Sequence, residues 1–269
     1  MSGPTATRTG PWLALVLFVM LLAGCAANPA QQDVYDPLEP MNRKVFWFND
    51  QFDQYLLQPV SQAWEFITPA FVREGVGNFF GNMTYPGVVL NDILQAKNLD
   101  AGRDLLRFIV NTTIGIGGLF DPATLMGLPD HREDFGQTLA VWGSGAGPYL
   151  VLPLLGPSNF RDAAGLPGDL YTNVLTFVPL STPELAGLSG LHMVNTRAQL
   201  AKAVRISREA AVDRYAFIRS AYQQQRLNAI YDGNPPIEDI YDENLFEENP
   251  PPANKHPGGA SKQPPATGQ

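Results

Sequence analysis

The side chains that most often carry catalysis or bind metals are few and widely spaced in this sequence. Its one cysteine, Cys25, excludes an intramolecular disulfide and a cysteine-based metal cage. The three histidines are His131, His192 and His256, and their separation argues against a histidine metal site. The glycine-rich runs lack the spacing of a dinucleotide or phosphate loop, and no serine stands in a Gly-x-Ser-x-Gly pattern. We therefore predict no enzyme, no resident cofactor and no metal site.

Cys25 is suited to a different reaction, the acylation of its thiol. It follows an uncharged run, Trp12–Ala23, of 12 residues, and a membrane-spanning helix needs roughly 20. The small residues in Leu22-Ala23-Gly24-Cys25 resemble the lipobox of bacterial lipoproteins. We predict that Cys25 is lipidated, which would anchor the chain to a membrane. The alternative is an ordinary signal peptide with an incidental cysteine.

The same segment indicates how the amino terminus is organised. We expect residues 1–24 to be a lipoprotein signal peptide and residues 25–35 to be a short polar tether. Many lipoproteins that stay in the inner membrane have Asp directly after the lipidated cysteine. Ala26 occupies that position here, which favours the outer membrane.

Two long uncharged segments dominate the middle of the chain. Phe135–Phe160 holds 26 residues with five glycines and three prolines, and Phe108–Phe120 is a shorter segment of the same kind. The titratable residues between them include the run His131–Asp134, so we predict a hairpin with two apolar arms. About ten helical residues cross one leaflet, so broken arms of this length fit one leaflet and not a full span. Glycine and proline in the arms favour helices packed around a cavity; the alternative is the buried core of a soluble domain.

The remaining elements indicate an all-α fold. Asp36, Pro37 and Glu39 predict a helix start with a capping box. Further helices are expected from Thr68-Pro69, through Val88–Ala96, from Asp100 and from Thr196. The last of these carries a stripe formed by Leu200, Val204, Ala211, Tyr215, Ile218 and Tyr222.

Phe46 and Trp47 lie off the apolar face of the first predicted helix. We predict that they contact membrane lipid; the alternative is a fully buried helix.

Composition limits the classes of partner. The chain has 269 residues and a formal net charge of −8, which argues against nucleic acid. From Asp232 onward it is acidic and then proline-rich, so residues 232–269 are predicted to form a disordered tail.

Several motifs together resemble one known family. They are DPLEPMNRKVFWFND from Asp36, NFFGNMTYPGVVLNDILQ from Asn78, RFIVNTTIGIGGLFDPA from Arg107, FGQTLAVWGSGAGPYLVLPLLGPSNFRDAAG from Phe135, TRAQL from Thr196 and DRYAFIRSAYQQQR from Asp213. In this order they are similar to the MlaA (VacJ) outer-membrane lipoproteins of the Mla phospholipid-transport pathway, and they cover most of residues 36–230.

The resemblance implies a single helical domain, residues 36–231, shaped as a ring in the inner leaflet of the outer membrane. The ring encloses an amphipathic channel. Phospholipids mislocalised to the outer leaflet pass through the channel to a periplasmic lipid carrier, and a trimeric porin often lies beside the ring. A structural envelope lipoprotein or porin-associated scaffold without transport is the alternative, and a lipid hydrolase is a third hypothesis.

In that framework the glycines and arginines become candidate channel or gate residues. We expect Gly115, Gly117, Gly118, Gly143, Gly145 and Gly147 to form hinges that let the hairpin move; the alternative is that they only permit close packing and sharp turns. Arg205 and Arg208 follow Arg197 in a basic segment and are predicted to bind lipid phosphates transiently. A solvated cationic face is the alternative there.

Overall fold

The structure is a computed structural model that describes residues 36–236. Its elements are α1 (Glu39–Phe52), a π-helical turn (Asp53–Leu57), α2 (Gln58–Ile67), α3 (Ala70–Leu94), α4 (Asn98–Thr113), α5 (Pro122–Leu125), α6 (Phe135–Val141), β1 (Tyr149–Leu152), β2 (Gly156–Asn159), α7 (Phe160–Thr172), a 3-10 turn (Val174–Phe177), α8 (Thr182–Gln199), α9 (Ala201–Ala210) and α10 (Arg214–Ile230). Within the described chain, β1 and β2 form the one sheet, an antiparallel pair. The predicted all-α fold class is confirmed.

The first helix begins later than the sequence predicts. Leu38 occupies the cap position and makes no side-chain cap bond. Asp36 instead accepts a hydrogen bond from the backbone N–H of Leu38 at 3.0 Å, and Glu39 pairs with Arg43 at 2.6 Å. The predicted capping box is therefore wrong, because the Glu39 side chain bonds Arg43 and does not reach back to the start of the helix.

Helix α3 is longer and less interrupted than predicted. It runs without a break from Ala70 to Leu94, with Pro86 inside it, where the sequence indicated a separate helix through Val88–Ala96. Proline removes one backbone donor from a helix. Tyr85 before it and Gly87 and Val88 after it are buried, so tertiary packing holds this part of the helix in place.

The two apolar arms differ from the predicted helical hairpin. The first arm is helical to Thr113 and then turns through Gly115–Gly118. The second arm is helical only at Phe135–Val141, and its remainder forms the β1–β2 hairpin. Tyr149 and Val151 alternate inward along β1, but four residues give too short an alternation to recognise from sequence.

The basic segment is also broken where the sequence predicted one continuous stripe. Helix α9 ends at Ala210, and Ala211 has extended backbone angles. Asp213 then caps α10 by accepting hydrogen bonds from the N–H groups of Tyr215 and Ala216. A good cap inside the stripe thus starts a new helix.

The two ends of the described chain meet. The buried cluster of Tyr149, Val151 and Tyr215 packs against Phe46 of α1, so α1, the β-hairpin and α10 share one core. Asp232, the first residue of the predicted tail, pairs with Lys97 at 2.6 Å. Of the helices in the described part of the chain, none has the length and apolar character needed to cross a membrane.

Candidate functional site

Most of the buried residues of this domain are polar. Among residues 36–236, buried polar or charged residues outnumber buried apolar residues by nineteen to eleven. Many large apolar side chains are exposed, among them Phe66 at 91% and Leu125 at 90%. Soluble domains bury mainly apolar residues and rarely expose large contiguous apolar patches. The described surface therefore suits contact with lipid.

Helix α4 illustrates this distribution within one element. Asp104, Arg107 and Asn111 are spaced at three and four residues, lie on one face and are buried. Leu105, Leu106 and Ile109 on other faces are exposed. The helix is amphipathic, and its polar side points toward the protein.

Arg107 organises the segment that follows α4. Its guanidinium pairs with Asp121 at 2.7 Å, donates to the Thr124 hydroxyl at 2.9 Å and also donates to the backbone carbonyl of Leu128. Asn111 donates to the Asp121 carboxylate at 3.0 Å. These bonds fasten residues 121–128 to the inner face of α4.

A second buried network lies where α3 ends. His131 Nδ1 is 2.7 Å from Asp104 Oδ2 and 3.8 Å from Asp92 Oδ1. Its hydrogen bond to Asp104 raises the pKa of His131 to about 9. Burial, followed by the negative charge of Asp104, raises the pKa of Asp92 to about 7. The Glu133 carboxylate, whose pKa is raised by burial, pairs with Lys97 at 2.7 Å.

The charged run between the apolar arms is therefore not an exposed hairpin tip. Its residues Glu133 and Asp134 lie within ion-pair networks, and Glu133 is buried. Arg226 of α10 bridges Asp134 at 2.6 Å and Asp162 at 2.8 Å, which ties the run to α7 and α10.

Two asparagines of α1 complete the open edge of β1. Asn42 donates to the carbonyl of Tyr149 at 3.0 Å and accepts from the N–H of Val151 at 2.9 Å. Asn49, two helical turns later, does the same for Leu152 and Leu154 at 2.9 and 2.8 Å. These side chains satisfy backbone groups that a further strand would otherwise bond, and the sequence analysis did not identify them.

The arginines predicted to bind phosphate have different surroundings. Arg208 donates to Gln58 at 2.7 Å and to Asp53 at 3.0 Å, so its guanidinium is already occupied by partners on the first helical segments. Arg197 pairs with the same Asp53 at 2.5 Å. Arg205 is exposed and has no ion-pair or hydrogen-bond partner among the described residues.

The two predicted membrane-contact residues, Phe46 and Trp47, lie in different environments. Phe46 packs inward, with its ring centroid 5.8 Å from that of Tyr215. Trp47 is 64% exposed. Adjacent residues on a helix lie about 100° apart, which is why one reaches the core and the other the surface.

The predicted hinge glycines form two groups, a first glycine joint at Gly115–Gly118 and a second at Gly143–Gly147, and the two differ in their surroundings. Gly118 has φ +90°, and a Cβ there would lie 2.4 Å from the Asn82 side chain, so close packing and backbone angle both require glycine. Gly115 is equally crowded by the Asn111 and Phe120 carbonyls, whereas Gly117 has open space. In the second joint Gly143 has φ +90° with open space around it, Gly145 is half-buried, and Gly147 has φ +66° beside Phe160.

Some predictions fall on residues that the structure does not describe. They concern Cys25, the predicted signal peptide and tether, and residues 237–269 of the predicted tail.

Comparison with known proteins identifies the family. The family profile described as MlaA lipoprotein matches residues 34–229. The chain is 37% identical over 217 residues to the intermembrane phospholipid transport system lipoprotein MlaA of Escherichia coli, covering 79% of this chain and 85% of that protein. The corresponding Haemophilus influenzae protein is 28% identical over 232 residues, covering 84% and 92%.

A solved structure agrees with this. The chain solved in work on the structural basis for maintenance of bacterial outer membrane lipid asymmetry superposes with a TM-score of 0.65 and 33% sequence identity. The match covers 74% of this chain and 100% of that one. The chain belongs to the MlaA lipoprotein family.

Proposed function

We propose that this protein is an outer-membrane lipoprotein whose helical domain lies as a ring in the inner leaflet. Its channel would remove mislocalised phospholipids from the outer leaflet and pass them to a periplasmic lipid carrier, which maintains lipid asymmetry. The observation that carries this proposal is the exposed apolar surface around a polar interior. An apolar exterior is stable among acyl chains. A polar interior can accommodate lipid headgroups, which the acyl-chain region excludes.

The relatives support the same function. The Escherichia coli and Haemophilus influenzae proteins are named as lipoproteins of an intermembrane phospholipid transport system. That name describes transport, so we propose transport without catalysis for this chain as well.

Membrane attachment would have two components. Acyl chains on Cys25 would anchor the amino terminus, since each buried methylene contributes roughly 0.8 kcal/mol. Exposed residues such as Trp47, Phe66 and Phe71 would hold the domain at the depth of the acyl chains. A trimeric porin beside the domain and a carrier on the periplasmic side complete the proposed assembly.

Lipid passage would be controlled by the second glycine joint more than by the first. Gly143 has open space around it, which leaves room for a hinge, whereas Gly118 is packed against Asn82. Of the two arginines in this proposal, Arg205 has no partner within residues 36–236 and so could bind a lipid phosphate, while Arg208 would first have to release Asp53 and Gln58.

The test uses cells that lack their own family member. Without it, phospholipid accessible to phospholipase added outside the cell should rise, and this chain should restore the low value. Cys25→Ser should fail to do so, because the protein would not reach the outer membrane. If the acylated chain reaches the outer membrane and leaves surface phospholipid high, the transport proposal is wrong and a structural role in the envelope replaces it.

A further inference from the structure

Three side chains from separate parts of the chain meet in one buried place. Asp92 comes from the last turn of α3, Asp104 from α4 and His131 from the loop before α6. One ligand atom from each lies within 4.8 Å of the other two. Both carboxylates are buried, and the imidazole covers them from the loop side.

Asp92 is the unusual member of this group. It is 0% exposed, and neither of its carboxylate oxygens accepts a hydrogen bond from a donor in residues 36–236. Its Oδ1 faces His131 Nδ1 across 3.8 Å. A buried carboxylate without a partner is costly, and native structures nearly always satisfy such groups with a donor, a water or an ion.

The neighbouring charges distinguish this group from a second one beside it. His131, Glu133 and Asp232 also come together, but the Lys97 ammonium lies between the two carboxylates, 2.7 Å from Glu133 and 2.6 Å from Asp232. That group already holds a cation. Among the described residues, the one cationic side chain in contact with the Asp92–Asp104 pair is His131, whose ring proton a bound metal ion would displace.

We propose that Asp92, Asp104 and His131 bind a Zn²⁺ ion. Metal binding releases the imidazole proton, and two carboxylates with one neutral imidazole then offer a net charge of −2, which a divalent cation balances. Zinc accepts both nitrogen and carboxylate oxygen at about 2.0–2.2 Å and commonly takes three protein ligands plus a water. Magnesium and calcium prefer sites made of oxygen alone, so the imidazole favours a transition metal. The 2.7 Å separation of His131 Nδ1 and Asp104 Oδ2 would widen by less than about 1 Å.

The proposed zinc ion would attach the segment between the two apolar arms to the rest of the domain at a third point. Arg107 and Arg226 already bind that segment at Asp121 and Asp134. Zinc would join it to α3 and α4 between those two points. This consequence does not depend on phospholipid transport and can be tested without it.

The experiment uses the acylated, tag-free protein in detergent, stripped with EDTA and dialysed. Zinc chloride is titrated, and bound zinc is measured by equilibrium dialysis. The wild type should bind one zinc ion per chain more than Asp92→Asn, whose affinity at this site should fall at least tenfold. Saturating zinc at 100 times Kd should raise the wild-type unfolding midpoint by about 5 °C. Magnesium at the same concentration should not.

Two control variants separate the site from general charge effects. Asp100→Asn removes an exposed carboxylate from the same helix as Asp104, and Asp232→Asn removes one from the lysine-occupied group. Both should bind zinc as the wild type does. Circular dichroism of the stripped proteins checks folding, and His131→Gln replaces Asp92→Asn as the test variant if the latter does not fold.

Equal zinc binding by the wild type and the folded test variant would overturn the proposal. The same conclusion follows if the wild type binds no zinc. In either case Asp92 and Asp104 would instead share a proton.

Discussion

The two sides of helix α4 differ in chemistry and in what stabilises them. On the inner side, Asp104, Arg107 and Asn111 are held by named hydrogen bonds and ion pairs. On the outer side, Leu106 and Ile109 are each 48% exposed. A helix on the surface of a soluble protein has the opposite arrangement. The difference indicates that polar contacts determine the internal structure here, while the exposed apolar side suits the lipid environment proposed above.

The largest expected effect comes from breaking the inner side. Arg107→Met would leave Asp121 without its ion pair and the Leu128 carbonyl without its donor. Because removing one partner of a buried pair is strongly destabilising, we expect unfolding to require about 3 kcal/mol less free energy. Denaturant titration in detergent measures this. Arg103→Met, on the exposed side of the same helix, should change the value by less than about 0.5 kcal/mol; equal losses in the two variants would contradict the comparison.

Substitutions on the outer side of α4 should weaken membrane binding and leave folding intact. The double variant Leu106→Glu and Ile109→Glu places two charges where acyl chains are expected, so vesicle binding should fall at least tenfold. Co-flotation with phospholipid vesicles measures the bound fraction, with Cys25→Ala in every protein so that acyl chains do not mask the change. Arg103→Glu changes the net charge by the same two units at an exposed and already charged position of α4, and it should have a smaller effect. Unchanged flotation of the double variant would place this face in water.

The two glycine joints offer a comparison of intermediate size. Gly118→Ala and Gly143→Ala both force alanine to φ +90°, which costs about 1 kcal/mol or more. Gly118→Ala must also displace the Asn82 side chain, which lies 2.4 Å from the new Cβ. We therefore expect the larger loss of unfolding free energy at Gly118. A larger loss at Gly143 would show that the first joint relaxes easily.

The smallest expected effect is a dependence on pH at the α6–α7 contact. Burial raises the pKa of Asp169 to about 6, above its ordinary value near 4, although the N–H of Phe135 donates to it at 2.9 Å. The folded state then binds more protons than the unfolded state between pH 4 and 6, so this group's contribution to stability decreases as pH rises through that window.

Asp169→Asn should remove this part of the pH dependence, because asparagine still accepts from Phe135 and does not titrate. Unfolding free energies of the wild type and the variant at pH 4, 5, 6 and 7 provide the test. The unfolding free energy of the variant should increase relative to that of the wild type as pH rises to 6. A difference that does not vary with pH would show that Asp169 titrates normally.

Local patterns predicted part of this molecule. The break of the helix at Gly115–Gly118 and a helix start near Asp100 follow from glycine content and apolar periodicity. The β1–β2 hairpin could not be recognised, because its strands have four residues each and Asn42 and Asn49, more than 100 positions earlier, support them.

Which polar residues are buried was equally inaccessible to the sequence. Arg208 and Asp53 are 155 positions apart, and His131 and Asp104 are 27 apart. Nothing in either local pattern distinguishes a paired charge from a solvated one. The local pattern therefore predicts phosphate binding by Arg208 and no group around His131.

The central claim, that the apolar exterior lies among acyl chains, is tested most directly by depth-dependent fluorescence quenching. Single-tryptophan variants keep either exposed Trp47 or half-buried Trp64, whose indole N–H donates to Asn195 at 3.0 Å. The acylated proteins are placed in bilayers that contain lipids brominated at mid-chain. Trp47 should be quenched strongly and Trp64 weakly. Equal, weak quenching of both residues would place the domain outside the leaflet and contradict the account.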